Sequence, residues 1–473
     1  MFITVSVFIA YLIVLAALAI WCRRETGTLS GFFLAERKLP SWVIAFSTNA
    51  TGESGWLLLG LTGMGYAVGL QAFWVVVGET IGISLAWILV ARRLKRLSDQ
   101  TDSITVPDVL AARFNDTRHV LRGLSVIIIL LMVGAYVAAQ MVATGKAFNS
   151  FIGLDYSTAV ILGAIITITY TFVGGFKAVA YTDVVQGVLM LAGLIFVPIV
   201  AILSLGGWDS FWSQLHDIDP TLLSFWGPQA SGLPAWIAII SFLAIGLPFL
   251  GVPQLMVRFM AARDEREIVK ASVISVLVIF AFGTGAVLAG MAGHALFPGL
   301  EDPETIFPLL SRELFPPIIT GLLMVIVLAA IMSTVDSLLI LASSAVTRDF
   351  LQKIWKIGKS DHVLANYGKV TILIIGIGGA IFALFESPVI FWFVLFAWSG
   401  LGAAFGPVIL CALFDRRTTL AGAFVGMLGG FVTTMVWVLA FKGKTYDLYE
   451  MIPGFLVGLL LTVIVSRLTR ISA

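Results

Sequence analysis

The sequence predicts an all-α membrane protein of thirteen spans arranged around an inverted repeat, and three observations carry that expectation. Apolar runs of about 20 residues recur along the whole length, each long enough to cross ~30 Å of hydrocarbon. Charged residues make up 12% of the 473 positions against 59% hydrophobic ones, about half the charged share of a soluble domain, so there is too little polar surface to coat a globule in water. Two of the apolar runs are interrupted at membrane depth, five spans apart, by residues that a regular helix does not tolerate.

Reading apolar runs between charged punctuation gives helices over 2–22, 41–63, 68–91, 121–145, 155–175, 181–206, 231–257, 268–297, 316–345, 370–385, 388–414, 418–441 and 450–468. The first run has no basic stretch before it and no small-residue cleavage site after it, which predicts a retained span rather than a signal peptide. Assigning each base to its nearer loop puts 25 of the 29 Lys and Arg on the side of the loops after helices 1, 3, 5, 7, 9 and 11 and of the C-terminal tail. The other side holds only Lys146, Arg312, Lys442 and Lys444. By the positive-inside rule the N-terminus is then outside and the C-terminus cytoplasmic, in what the sequence suggests is a bacterial inner membrane. The chain reads as a single transporter domain over 1–473, with 1–40 as first helix and loop, 41–206 as repeat one, 231–414 as repeat two and 418–473 as the last two helices. No soluble sensor domain is expected at either end.

Helix 2 carries Asn49-Ala50-Thr51-Gly52-Glu53-Ser54-Gly55 where lipid depth is greatest, and helix 7 carries Gly246-Leu247-Pro248-Phe249-Leu250-Gly251-Val252-Pro253. Proline removes a backbone donor and clashes with the preceding turn. Unwound backbone inside a membrane persists only where protein or a water-filled cavity satisfies it. Gly and Pro are common in membrane helices, so either break alone says little. Paired, each opens a five-helix unit (2–6 and 7–11), and five being odd, the second unit is inverted relative to the first. Inverted repeats with broken helices bind substrate and ions beside the breaks.

An ionisable group at membrane depth costs at least ~2.5 kcal/mol, so each needs a partner or a purpose. Glu53, Glu79, Asp183 and Asp336 are the four that stand out. Helix 9 reads Ala329-Ala330-Ile331-Met332-Ser333-Thr334-Val335-Asp336-Ser337, in which Ser333, Asp336 and Ser337 share a face by three- and four-residue spacing. Oxygen ligands of this kind suit a small hard cation, although a membrane Ser or Thr also bonds its own i−4 carbonyl. Asp183 lies near the start of helix 6, where an interfacial role is the plainer alternative. Glu79 has no partner that the sequence identifies. Cys22 and Cys411 form neither a metal-ligand set nor a disulfide framework, and His119, His216, His294 and His362 fall in or near loops. Enzyme chemistry therefore ranks last, and no basic tract marks a nucleic-acid partner.

These residues carry a family likeness. Ser54-Gly55-Trp56-Leu57-Leu58, Thr105-Val106-Pro107-Asp108, Val173-Gly174-Gly175-Phe176, Thr182-Asp183-Val184-Val185-Gln186, Arg258-Phe259-Met260-Ala261-Ala262, Ala329-Ala330-Ile331-Met332-Ser333-Thr334 and Ala397-Trp398-Ser399-Gly400-Leu401-Gly402-Ala403-Ala404-Phe405-Gly406-Pro407 occur in order on the expected helices. The chain resembles the sodium/solute symporter family over nearly its full length, most closely the sodium/proline symporter branch. The resemblance implies a LeuT-like fold and sodium-driven symport. It implies a sodium site made by the backbone carbonyls of Ala50, Glu53 and Ala330 with the hydroxyls of Ser333 and Thr334. A second sodium site of some members would here use Asp183, Ser333, Asp336 and Ser337, with Asp336 standing where a hydroxyl is usual.

Proline symporters carry an aspartate where this chain has Gly52 and a methionine where it has Glu53; their aromatic Trp and Tyr on helix 7 are replaced by Ile245 and Phe249. The resemblance therefore leaves three roles open for Glu53: a cation ligand displaced by one position, a protonatable group that makes H⁺ the coupling ion, or a partner for an amino group of the solute. The expected solute site comprises Ser54, Trp56, Tyr136, Gln140, Ile245, Phe249 and Pro253. The function expected is sodium-coupled symport of a small solute, an amino acid first, by alternating access, with the lipid bilayer, the solute and Na⁺ as partners. The alternatives are a proton-coupled or carboxylate symporter using Glu53, or a channel or substrate-sensing receptor on the same scaffold.

Overall fold

Two glycines decide how the spans are counted. The structure is a computed structural model that describes residues 2–22, 28–228, 231–385 and 390–470; Arg23, Arg24 and the expected start of helix 11 at 388 lie outside them. Among the described residues, eleven helices are long and apolar enough to cross a bilayer, where the sequence predicts thirteen. The difference has two sources. Ser41–Gln100 counts once although its 60 residues would extend ~90 Å as one straight helix; it breaks at Gly69 (φ 57°), where a side chain would run into the Leu222 carbonyl. The helical run Tyr156–Ser204 is divided at Gly175 (φ 61°, ψ −177°), and before that division the fully described apolar stretch is the shorter Tyr156–Thr169. Positive φ of this kind is available to glycine at little cost. The remaining runs match the predicted spans, among them Phe2–Cys22, Val120–Ile152, Glu265–Leu296, Pro317–Ser344, Asp361–Leu384, Ile390–Phe414, Leu420–Val436 and Met451–Arg470.

Both predicted interruptions are present. Helix 2 runs as Ser41–Gly55 until Ser54, which adopts φ 56°, ψ −171°, and resumes with a wide turn over Trp56–Leu61. Helix 7 runs as Leu233–Leu243, tightens over Ala244–Leu250 around Pro248, leaves helical geometry at Gly251 and Val252, and restarts at Pro253–Met260. The second break is clamped by glycines. A side chain on Gly82 would strike the Gly246 carbonyl, one on Gly246 the Gly78 carbonyl, one on Gly251 the backbone of Gly406, and one on Gly402 would come within 2.6 Å of Pro248.

The molecule is greasy outside and polar within. Ile13, Ile20, Ile88, Leu203, Leu277, Ile374 and Leu439 face outward, each more than 60% exposed, as a lipid-facing surface requires. Asn49, Thr51, Glu53, Asp183, Ser333 and Asp336 are all buried. Helix 9 (Pro317–Ser344) forms the axis, packed against helices 1, 2 and 4 and the run Tyr156–Ser204.

The two ends of the bundle differ. At the base-rich end, Arg122 pairs with Asp108 and Asp349 at 2.5 Å each, Arg348 Nε pairs with Asp108 at 2.8 Å, and the Thr105 hydroxyl donates to Asp349 at 3.0 Å. Asp108 lies on the loop helix Val106–Arg113; burial opposes its ionisation, but Arg348 and Arg122 hold its carboxyl below the ordinary aspartate range. At the opposite end opens a cavity of about 580 Å³ lined by Met64, Phe242, Glu301, Asp302, Glu304 and Trp392 among others. There Lys146 reaches Asp302 at 3.0 Å and Glu304 at 2.6 Å.

Candidate sodium and solute site

The helix 2 break delivers carbonyl oxygens to the hydroxyls of helix 9. Ser333 Oγ donates to the carbonyls of Ala50 and Ala330, both at 2.9 Å. Thr334 Oγ1 donates to the Thr51 carbonyl at 3.0 Å and reaches that of Ala330 at 3.5 Å. Four of the five expected sodium ligands, Ala50, Ala330, Ser333 and Thr334, thus meet across two helices some 280 positions apart in the chain. The fifth, the Glu53 carbonyl, accepts from Trp56 N–H at the break. Thr51 contributes a carbonyl that sequence reading passed over.

Asp183 and Ser337 also converge, but around a guanidinium, with Asp336 beside Ser337. Arg258 Nη2 donates to Asp183 Oδ2 at 2.9 Å, to Ser337 Oγ at 2.5 Å and to Thr51 Oγ1 at 2.6 Å. Its Nε donates to Ser47 Oγ at 2.8 Å, and its Nη1 to the Gln254 carbonyl at 2.6 Å. Ser47 Oγ donates to Asp183 at 2.6 Å, and Ser337 Oγ lies 3.5 Å from Asp336 Oδ1. The Phe176 ring lies 5.4 Å from the guanidinium carbon. Arg258 is 1% exposed, so it is not one of the loop bases with which the sequence groups it. The restart of helix 7 at Pro253 carries it inward, and its position at the end of a span conceals that. A buried arginine demands a buried acid, and Asp183 is the acid.

A cavity of about 10 Å³, room for about one water molecule, lies beside the helix 2 break and is lined by Gly52, Glu53, Trp56, Glu79, Tyr136, Ile245, Val394, Leu395 and Trp398. Of the expected solute residues, Trp56, Tyr136 and Ile245 line it. Phe249 meets Trp398 edge to face at 5.2 Å, and its ring would lie 3.1 Å from a Cβ on Gly52. Ser54 Oγ accepts from Trp56 N–H at 3.1 Å. Gln140 Oε1 accepts from Gly55 N–H at 3.1 Å, so it satisfies the broken backbone. Pro253 starts the second half of helix 7 and is not among the lining residues. Glu79, unpartnered in sequence reading, shares the cavity with Glu53. Trp398 was visible only as part of a motif; its Nε1 donates to the Ile245 carbonyl at 3.2 Å and ties helix 11 to the helix 7 break.

A second cavity, of about 160 Å³, shares Ile245 and Leu395 with the first and adds Phe242, Trp392, Asp447 and Tyr449. Phe242 and Trp392 also line the 580 Å³ cavity. The three cavities follow one another, walled in part by shared side chains, from the helix 2 break to the end that carries Glu301 and Asp447, away from the base-rich end.

Comparison with known proteins agrees with this architecture. The chain is 38% identical to a sodium/proline symporter of Staphylococcus aureus over 97% of its own length and 91% of the relative's. It is 40% identical to a high-affinity proline transporter of Bacillus subtilis (strain 168), covering 94% of each. Among solved structures, a Na⁺-coupled sialic acid symporter in a substrate-bound outward-open state superposes with a TM-score of 0.85 at 20% identity, covering 99% of this chain and 98% of that one. A transporter of the nucleobase-cation-symport-1 family gives 0.57 at 14% identity, covering 94% and 95%. At those identities the likeness speaks for the fold, which is LeuT-like. The model of the sodium:solute symporter family matches residues 32–430, and with relatives this similar over nearly their whole length, the chain belongs to the sodium:solute symporter family.

Proposed function

We propose that this protein carries a small solute of the amino-acid class across a bacterial plasma membrane with sodium, and that the ion is held by the Ala50, Thr51 and Ala330 carbonyls and the Ser333 and Thr334 hydroxyls. The observation that carries the reading is the convergence of Ser333 Oγ on two carbonyls at 2.9 Å. With the two hydroxyl protons turned away, three carbonyl and two hydroxyl oxygens are all free to accept, which is what a desolvated hard cation requires. The proline transport named for two relatives supports an amino acid as solute. The end bearing Glu301 and Asp447 then faces outward, and the base-rich end with the Arg122 and Arg348 pairs faces the cytoplasm, in line with the loop charges. Coupling requires that sodium and solute each bind better in the other's presence, which linkage makes reciprocal.

The test is uptake of labelled amino acids into proteoliposomes with and without an inward sodium gradient. Ser333→Ala and Thr334→Ala are each expected to raise the sodium concentration for half-maximal uptake about tenfold, the worth of one lost oxygen bonded to a charge. Unchanged sodium dependence in both variants removes the assignment. A second reading, proton coupling, rests on Glu53, whose two carboxylate oxygens are buried without a hydrogen-bond partner. Uptake driven by a pH gradient alone, lost in Glu53→Gln, would favour it.

A further inference from the structure

Two carboxylates share one small cavity in the centre of the bundle, and a solute without net charge gives no reason for both. We propose that the cavity beside the helix 2 break is a receptor for the ammonium group of a compact solute bearing net positive charge, which narrows the solute class of the symport reading above and rests on it. Glu53 is 1% exposed, and neither of its carboxylate oxygens has a hydrogen-bond partner. Glu79, 4% exposed, lines the same cavity from helix 3. No Lys, Arg or His is among the described lining residues. Buried carboxylates in an apolar shell are costly unless a cation answers them, and an ammonium bonded to them makes a strong charge-assisted hydrogen bond.

The remaining walls suit the same guest. Trp56, Tyr136 and Trp398 surround the acids, and aromatic faces attract ammonium groups, methylated ones included. The approach is acid-rich as well: Glu301, Asp302 and Glu304 line the 580 Å³ cavity, where Lys146 answers Asp302 and Glu304, and Asp447 lines the cavity next to it. A passage lined by acids raises the local concentration of cations. No described base lines this cavity, so any carboxylate of the solute has to lie away from Glu53 and Glu79, and a second positive charge on the solute offsets its cost.

The experiment uses the full chain in lipid nanodiscs at pH 7, with the pocket tryptophans as reporters. Proline and prolinamide share ring and size but differ by one unit of charge, and the ammonium ion, close to water in size, presents a cation alone. Prolinamide and ammonium are expected to change tryptophan fluorescence in the presence of sodium, with proline binding about tenfold more weakly than prolinamide, the scale of one like charge held some way from a partly screened carboxylate. Glu53→Gln and Glu79→Gln are each expected to weaken prolinamide about tenfold and to close its gap to proline. A sodium-induced thermal shift kept in each variant shows that it folds. Proline bound as well as prolinamide, no response to either cation, or glutamine variants that bind like the parent would each overturn the proposal. Cation binding that sodium neither strengthens nor accompanies with a thermal shift leaves the receptor standing and removes sodium coupling instead.

Discussion

Replacing Arg258 by glutamine is expected to convert a sodium-indifferent cluster into a sodium-dependent one. Arg258 and Asp183 are 1% and 0% exposed and meet at 2.9 Å, so removing the guanidinium leaves Asp183 buried without its countercharge. Such a loss costs about 3–5 kcal/mol. The cavity left behind is bounded by Asp183, Ser337, Thr51 and Ser47, four oxygen-bearing side chains within 3 Å of the missing nitrogens. Asp183 Oδ1 has no hydrogen-bond partner and adds a fifth oxygen. A sodium ion admitted there at a hundred times its dissociation constant returns about 2.7 kcal/mol, more than half of the loss. Thermal unfolding of Arg258→Gln in nanodiscs, with sodium replaced stepwise by a large organic cation that the cluster excludes, is the assay. The parent's midpoint should respond to sodium once, through the Ser333 site; the variant's should fall without sodium and respond a second time as sodium is restored. Asp183→Asn made in the Arg258→Gln background should cost far less than the same change made alone, because the charge it removes is then already unpaired. A variant as stable as the parent without sodium, or an Asp183→Asn cost that is the same in both backgrounds, would refute the reasoning.

Other outcomes follow from the same geometry. Gly82→Ala places a methyl group against the Gly246 carbonyl and should cost about 1–3 kcal/mol of stability, read as a lower unfolding midpoint together with lost uptake, even though the ion and solute ligands are untouched. Gly52→Ala sets a methyl group 3.1 Å from the Phe249 ring; pairing it with Phe249→Leu should recover much of the uptake lost by the single change. Arg348 and Arg122 hold Asp108 below its ordinary range despite burial. Its pKa is thus lower folded than unfolded, so its contribution is full above the unfolded value and fades as pH falls through the folded one. The stability gap between parent and Asp108→Asn, measured by thermal unfolding, should be constant near neutrality and shrink below about pH 4; a gap that instead shrinks between pH 6 and 8 would point to another group.

Much of this was legible in the sequence, and what was not shares a cause. Hydropathy located the spans, because membrane length and backbone satisfaction leave few alternatives. Polar and glycine residues at depth located the Ser54 break within the seven residues 49–55, and the family resemblance implied that Ser333 and Thr334 on helix 9 face it. Spacing along one helix says which residues share a face but not which other helix that face meets. So Glu79 stayed without a neighbour until helix 3, packed on the helix 7 break, set it in one cavity with Glu53, and Trp398 stayed a letter in a motif until its indole reached Ile245. Arg258 sits where a span ends and charge is ordinary; only the inward path of the chain after Pro253 reveals it as interior.

The glycines flanking the helix 7 break bear on how such a bundle moves. Helices ordinarily mesh by side chains seated in one another's grooves, and displacement means unseating them one by one. Here Gly78 and Gly82 on one flank, and Gly402 and Gly406 on the other, present bare backbone to the kinked segment. A contact with few interdigitating groups has little to unlock, so the segment between these two smooth faces is built like a bearing with one catch, the Trp398 indole that holds the Ile245 carbonyl and packs on Phe249.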